Sequence, residues 1–125
     1  MIEDYFLQIE ARLREFPSIQ SRVLTQKIYN HYQGYISGKI VFENGHSLEF
    51  AEVVDTEQKN KVKYRYQYMD EKQSLIFRYD NAPHHKEVKS FPHHRHTPHK
   101  VTNSQEPGLS DVLLEIARSQ CKKKK

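Results

Sequence analysis

The chain has 125 residues, of which 36% are hydrophobic and 29% charged, and its formal net charge is +4. This length supports one domain with a modest core, and a charged fraction of both signs argues against disorder of the whole chain. No apolar run is as long as a membrane-spanning helix, and the acidic start at Glu3 and Asp4 is not typical of a signal peptide. A single cysteine, Cys121, excludes an intramolecular disulfide. We therefore expect a cytoplasmic protein without a membrane partner.

The first predicted element is an amphipathic helix that ends before Pro17. Its apolar residues recur every three or four positions, at Ile2, Phe6, Ile9, Leu13 and Phe16. From about Arg22 to Asp80 the pattern changes to short segments rich in aromatic and β-branched residues. We predict an α+β fold in which an antiparallel sheet of about five strands forms a meander.

The turn after the second long strand segment determines the register of a hairpin. A three-residue loop with Gly45 in the left-handed conformation places Ile40 opposite Leu48 and Lys39 opposite Glu49. A two-residue Asn-Gly turn would instead place apolar residues opposite polar ones. The three-residue loop is therefore the predicted one.

The next hairpin places a tyrosine-rich strand beside its partner. A loop at residues 70–73 gives the opposite pairs Tyr68–Leu75, Tyr66–Phe77 and Tyr64–Tyr79, which would fill the buried face. The other face would then have Arg65 directly across from Arg78, with Lys63 near Asp80. Two adjacent arginines repel each other unless an anion lies between them. We predict that this face binds a phosphate.

Six of the eight histidines fall between residues 84 and 99. Imidazole exchanges protons near neutral pH, so the cluster indicates acid/base catalysis or metal binding, although some of these rings will have structural roles. The candidate catalytic residues are His84, His85, His94, His96 and Asp80. The candidate phosphate-binding residues are Lys63, Arg65, Arg78 and Arg95. For Asp80 two roles are open, the orientation of a histidine and an ion pair with Lys63, and we favour the ion pair.

A metal site is a weaker interpretation of the same cluster. His94 and His96 are two positions apart, so on an extended strand they would point to one side, as in many His-x-His ligand pairs. Neighbouring histidines such as His84 and His85 diverge, however, and no cysteine or well-spaced carboxylate completes a familiar ligand set. We therefore predict no metal ligands and no cofactor.

The last predicted element is a second amphipathic helix with Ser110 as its N-cap. The proline- and histidine-rich segment before it, residues 83–107, is predicted to be irregular. Residues 84–125 contain nine Lys or Arg and four Asp or Glu, and four of these lysines form the run at residues 122–125. We expect one domain over residues 1–118 and a basic disordered tail over residues 119–125.

Several runs resemble the TumE-type toxin family of prokaryotic toxin–antitoxin modules. They are YRYQYMD at residues 64–70, IFRYDNAPHH at residues 76–85, FPHHRH at residues 91–96 and LLEI at residues 113–116. The resemblance covers about residues 1–117. It implies a small α+β toxin that acts on RNA and is encoded beside a helix-turn-helix antitoxin.

The residues and the resemblance together lead us to expect a metal-independent endoribonuclease. One histidine would act as general base and another as general acid, while Arg65 and Arg78 would hold the phosphate. The alternatives are a non-enzymatic regulator that binds nucleic acid or the antitoxin, and a metal-dependent nuclease with histidine ligands. The expected partners are RNA and the antitoxin, and formation of a homodimer is left open.

Overall fold

Two helices pack on one face of a seven-stranded antiparallel sheet. The structure, a computed structural model, describes residues 1–82 and 92–123, and for residues 121–123 it describes the backbone alone. In chain order the elements are α1 (Ile2–Glu15), β1 (Ile19–Ile28), β2 (Gln33–Phe42), β3 (Ser47–Asp55), β4 (Lys63–Met69), β5 (Leu75–Asp80), β6 (His94–His96), β7 (Val101–Asn103) and α2 (Leu109–Lys123). Each strand pairs with the next one along the chain. The predicted α+β class and meander order are therefore confirmed.

The predicted number of strands is wrong, because the sheet has seven strands rather than five. The two additional strands, β6 and β7, lie in the segment that was predicted to be irregular. Each has only three residues, which is too short for an alternating pattern to be recognised in a histidine-rich sequence. Strand β6 pairs with β5 and so provides partners for backbone groups that would otherwise lie at the edge of the sheet.

The hairpin between β2 and β3 has the predicted register. Ile40 lies opposite Leu48 and Lys39 lies opposite Glu49. Gly45 has a φ of 88°, so the loop requires the left-handed conformation that favours glycine.

The predicted register of the hairpin between β4 and β5 is wrong. Tyr66 lies opposite Tyr79 rather than Phe77, and Arg65 lies opposite Asp80 rather than Arg78. The register changes between Tyr68 and Met69, a local irregularity that the assumption of ideal alternation did not include. The error is two residues from Phe77 to Asp80, and a shift of two leaves those side chains on their predicted faces. Leu75 is the exception: it lies opposite Met69 rather than Tyr68, and Ile76 packs against the core in its place.

The core lies between the two helices and the sheet. Its buried members include four residues of α1 (Ile2, Phe6, Ile9 and Leu13), four of α2 (Leu109, Val112, Leu113 and Ile116) and the three tyrosines of β4 (Tyr64, Tyr66 and Tyr68). We call this side of the sheet the helix face and the other side the open face.

One carboxylate, that of Glu52 on β3, is buried within this core. It accepts hydrogen bonds from the hydroxyl groups of Tyr5 on α1 and Tyr66 on β4. Burial of the two phenols and the negative charge of Glu52 raise the pKa of both tyrosines above its usual value. The carboxylate thus joins the first helix to two central strands, a contact that sequence periodicity did not predict.

Helix α2 begins earlier than predicted, because Leu109 is already helical. Gly108 therefore precedes the first helical residue, and its N–H donates to Oδ2 of Asp111 at 2.8 Å. This is the contact by which an acidic residue in the first turn reaches back to the N-cap position, so the predicted N-cap at Ser110 is wrong. The helical backbone continues through residues 119–123, where the sequence predicted a disordered tail.

We expect the stability of the protein to fall in alkaline solution. Buried tyrosines with a raised pKa stay protonated in the folded chain, whereas unfolded tyrosines lose their protons above a pKa of 10.0. Each such tyrosine therefore lowers the free energy of unfolding by about 1.4 kcal/mol per pH unit above that value. Urea denaturation of the wild type and Tyr66→Phe at several pH values measures this contribution.

Tyr66→Phe should be less stable at neutral pH by about 1–3 kcal/mol, because Glu52 loses a buried donor. Its stability should nevertheless decline less steeply with alkaline pH than that of the wild type. Identical alkaline slopes for the two proteins would contradict the buried, protonated state of Tyr66.

Candidate functional site

A cleft of about 330 Å³, which we call the first cleft, lies on the open face of the sheet across β4, β5 and β6. Its lining residues are Lys63, Tyr64, Arg65, Arg78, Asp80, Ala82, His94 and His96. Side chains alternate between the two faces of a strand, so the basic residues between the buried tyrosines of β4 reach this side. Lys63 and Arg65 are exposed there.

Strand pairing arranges the polar residues of the first cleft in two rows. In one row Arg65, Asp80 and His94 lie opposite one another on β4, β5 and β6. In the other row Arg78 lies between Gln67 and His96. Strand β6, which the sequence did not predict, is thus the element that brings two histidines beside the arginines.

Asp80 is the centre of this arrangement. Its Oδ1 is 2.6 Å from Nε2 of His94, and its Oδ2 is 3.3 Å from Nε2 of His96 and 3.2 Å from Nε of Arg78. We call these four residues the Asp80 cluster. The favoured ion pair with Lys63 is wrong, since the carboxylate pairs with this arginine and these two histidines instead.

His94 has an oxygen atom at each ring nitrogen. Its Nδ1 is 2.8 Å from the backbone oxygen of Pro92 and therefore donates to it. Its Nε2 is 2.6 Å from Oδ1 of Asp80, a distance at which an unprotonated nitrogen and a carboxylate would repel each other. A proton or another cation must therefore lie between them. Because only 1% of the side chain is exposed, His94 is suited to positioning Asp80 rather than to contacting a substrate.

The same cluster contains the residues that could hold a metal ion. One ligand atom from each of Asp80, His94 and His96 lies within 4.8 Å of the others. Two histidines and one carboxylate are a common ligand set for zinc and non-haem iron. The hydrogen bond from His94 to Pro92 is also of the kind that orients a metal-binding histidine.

The charge of the first cleft favours an anion over a metal cation. Among its described lining residues, the cations Lys63, Arg65 and Arg78 outnumber the single carboxylate of Asp80. Arg78 moreover already contacts the Oδ2 atom of that carboxylate. An excess of positive charge beside a concave surface attracts phosphate and repels divalent cations.

Tyr64 also borders the first cleft, but its side chain is buried on the helix face. Burial raises its pKa, and the negative charges of Glu106 and Asp80 raise it further, so the phenol stays protonated at neutral pH. Its hydroxyl is hydrogen-bonded to Nδ1 of His93 at 2.8 Å, and the two rings stack. Tyr64 is therefore a structural residue beneath the first cleft rather than a source of protons.

Arg95, a predicted phosphate-binding residue, is not in the first cleft. It lies opposite Tyr79 on the helix face, where Nη2 donates to Oε2 of Glu115 at 2.6 Å and Nε donates to the Tyr79 hydroxyl at 3.1 Å. Burial opposes the charged form of Arg95, but contact with Glu115 outweighs it and raises the pKa. Arg95 thus connects β6 to α2.

Two further predicted residues, His84 and His85, lie outside the described residues. Conversely, Gln67 was not among the candidate site residues, yet its Oε1 accepts a hydrogen bond from Nη1 of Arg78 at 3.2 Å. The alternation of β4 predicts that Gln67 shares a face with Arg65, but it does not predict the contact with Arg78. The contact of His94 with Pro92 had no such signal, since it depends on a backbone oxygen.

The fold and the first cleft define a class: a small α+β protein with a cationic cleft on one face of its sheet. The chain matches the family described as Toxin TumE over residues 9–120, and it therefore belongs to the TumE toxin family. It is thus the toxin of a toxin–antitoxin module and has an antitoxin as partner. Searches of curated proteins and of solved structures gave no match. None of the helices in the described part of the chain combines the length and hydropathy needed to cross a membrane.

Removing the Asp80 carboxylate should destabilise the protein strongly. Asp80→Ala leaves Nε2 of the buried His94 without its acceptor, and the loss of one partner from a buried pair costs about 3 kcal/mol. Glu15→Ala is the control, because Glu15 pairs with Arg12 on the exposed surface of α1 and should contribute little. Urea denaturation at neutral pH compares them, and equal stability of the two variants would contradict the central role of Asp80.

Proposed function

We propose that this toxin is a metal-independent endoribonuclease that binds an RNA phosphate in the first cleft. The observation that supports this most directly is the set of exposed cations, Lys63 and Arg65, beside the Asp80 cluster on one open sheet face. The proposed antitoxin is a helix-turn-helix protein. Membership of the TumE toxin family makes the protein a toxin, and the cleavage of RNA is our proposal for how it acts.

The open face suits a single RNA strand. No helix among the described residues packs on this side of the sheet, so an extended chain has access to β4, β5 and β6. Lysine and arginine on such a surface bind phosphate oxygens, and the planar guanidinium of Arg65 can donate two parallel hydrogen bonds. The substrate phosphate would lie between Arg65 and Arg78.

His96 is the proposed acid/base group among the described histidines. Its side chain is 13% exposed, compared with 1% for His94, and its Nε2 faces Oδ2 of Asp80. A carboxylate in this position orients an imidazole and stabilises its protonated form during proton transfer. The second acid/base group is proposed to be His84 or His85, which follow Asp80 closely in the sequence.

The reaction follows from these roles. The general base takes the proton of the RNA 2′-hydroxyl, whose oxygen then attacks the adjacent phosphorus. The bond from phosphorus to the 5′ oxygen breaks, and the general acid protonates that oxygen as it leaves. Arg65 and Arg78 stabilise the additional negative charge on the phosphorane-like transition state. The products carry a 2′,3′-cyclic phosphate and a 5′-hydroxyl.

A second candidate function is a metal-dependent nuclease. It is favoured by one observation, the approach of ligand atoms from Asp80, His94 and His96 to within 4.8 Å of one another. In that case Asp80, His94 and His96 would hold the ion, which would supply activation of a water nucleophile, and the products would not need a cyclic end. We prefer the metal-independent reaction because the charge of the cleft favours an anion.

The histidine roles predict a specific loss of activity. His96→Ala should lower turnover by about 100-fold or more, because proton transfer by a positioned imidazole contributes this much. His99→Ala is the matched control, since His99 is exposed in the turn after β6 and is not among the residues of the first cleft. Cleavage of a labelled RNA, with chemical identification of the product ends, measures both effects.

Metal removal separates the two candidate reactions. Treatment with EDTA should leave cleavage unchanged if the reaction is metal-independent. Loss of cleavage in EDTA with recovery in zinc or manganese would instead establish the metal-dependent alternative. A folded wild type that cleaves no RNA under either condition would contradict both and leave the regulator interpretation.

The salt dependence of RNA binding tests the phosphate contact itself. Arg65→Ala should bind single-stranded RNA more weakly, and the slope of log affinity against log salt should fall by about 0.7, the value for one phosphate contact. Arg14→Ala, an exposed change on α1, should leave the slope unchanged. The contact is absent if the Arg65→Ala slope equals that of the control.

A further inference from the structure

A second cleft, of about 350 Å³, lies beside the first one on the sheet. Its lining residues are Tyr35, Ala51, Glu52, Val53, Lys63, Tyr64 and Arg65. Three of them, Lys63, Tyr64 and Arg65, also line the first cleft. The two clefts therefore share one wall on β4 and form neighbouring positions along the sheet.

Strand pairing explains the shape of the second cleft. Tyr35, Val53 and Lys63 lie opposite one another on β2, β3 and β4, and Ala51 lies opposite Arg65 in the next row. Tyr35 is on the open face, because its neighbour Ile36 is buried on the helix face. Val53 lies between Tyr35 and Lys63, and in the next row the small side chain of Ala51 leaves space beside Arg65.

We propose that the second cleft binds an RNA base, which stacks on the ring of Tyr35. This inference rests on the proposed function and extends it, because it defines the substrate as single-stranded RNA that occupies two adjacent positions. The base belongs to the nucleotide next to the one whose phosphate lies in the first cleft. That phosphate links the two nucleotides, and Lys63, which lines both clefts, holds it together with Arg65 and Arg78.

The chemistry of the second cleft fits a nucleotide. On the open face, one side is formed by the aromatic and aliphatic groups of Tyr35, Ala51 and Val53, and the other side by the two cations. The side chains of the other two lining residues, Glu52 and Tyr64, are buried on the helix face. A base offers a flat π-face to the first side and its phosphate offers negative charge to the second. Tyr35 and Lys63 are two strands apart, on the order of 10 Å, which a base and its sugar can cover. Stacking of this kind does not select a particular base, because every base has a π-face.

Binding of a short 2′-O-methyl RNA, which lacks the attacking hydroxyl, tests this subsite without cleavage. Fluorescence anisotropy with Tyr35→Leu should show binding about 10-fold weaker than the wild type, because the stacking surface is lost. Tyr35→Phe should bind as the wild type does, because it keeps an aromatic ring. Tyr29→Leu is the matched control, since Tyr29 is 58% exposed and lines neither cleft.

A companion experiment removes the base from the RNA instead of the ring from the protein. Abasic substitution at each position in turn should weaken binding to the wild type at one position and cause no further loss with Tyr35→Leu. The abasic RNAs also test the subsite if Tyr35→Leu fails to fold. The wild type alone must then bind more weakly when the base is missing at one position of the RNA.

The outcomes distinguish the subsite from the proposed function. If Arg65→Ala weakens binding while Tyr35→Leu and every abasic RNA bind normally, the subsite is wrong and the phosphate contact stands. If the folded wild type binds no RNA, both proposals are wrong. A loss of affinity with Tyr29→Leu equal to that with Tyr35→Leu would also overturn the subsite.

Discussion

The buried pair of Asp80 and His94 is the interaction on which the functional face depends. A carboxylate and an imidazole nitrogen 2.6 Å apart are stable only with a positive charge between them, and the pair is nearly excluded from solvent. The other oxygen of Asp80 faces Arg78 and His96, so this one carboxylate determines the position of three cationic or protonatable side chains. The chemistry that we propose requires that these groups stay in place when a phosphate arrives.

The sheet makes such a charged cluster tolerable by separating it from the core. On β4, three buried tyrosines alternate with Lys63, Arg65 and Gln67, so apolar packing and polar chemistry use opposite faces of one strand. Arg95 shows the same division on β6, because it faces α2 while its neighbours His94 and His96 face the first cleft. A short strand thus contributes both to the attachment of a helix and to the site.

The sequence predicted most of the faces in both hairpins, but it predicted the opposite pairs correctly only between β2 and β3. Alternation alone placed Arg65 and Arg78 on the open face. That placement is correct although the predicted register is wrong, because the register error is two residues and side chains alternate with a period of two. The pairing of Arg65 with Asp80 could not be predicted, since it depends on the irregularity at Tyr68 and Met69. Strand β6 was missed for a different reason: its three residues gain their conformation from pairing with β5 rather than from their own pattern. Contacts over long sequence separations, such as that of Tyr5 with Glu52, leave no periodic signal.

An NMR map of the residues that RNA perturbs tests most directly whether RNA binds on the open face around Asp80. Titration of the labelled toxin with an uncleavable single-stranded RNA should shift the side-chain signals of Arg65, Arg78 and His96, because these lie in the first cleft. The side-chain signal of Arg95 should change little, since Arg95 pairs with Glu115 on the helix face. Shifts concentrated at Arg95 and along α2, with the signals of the first cleft unchanged, would contradict the account.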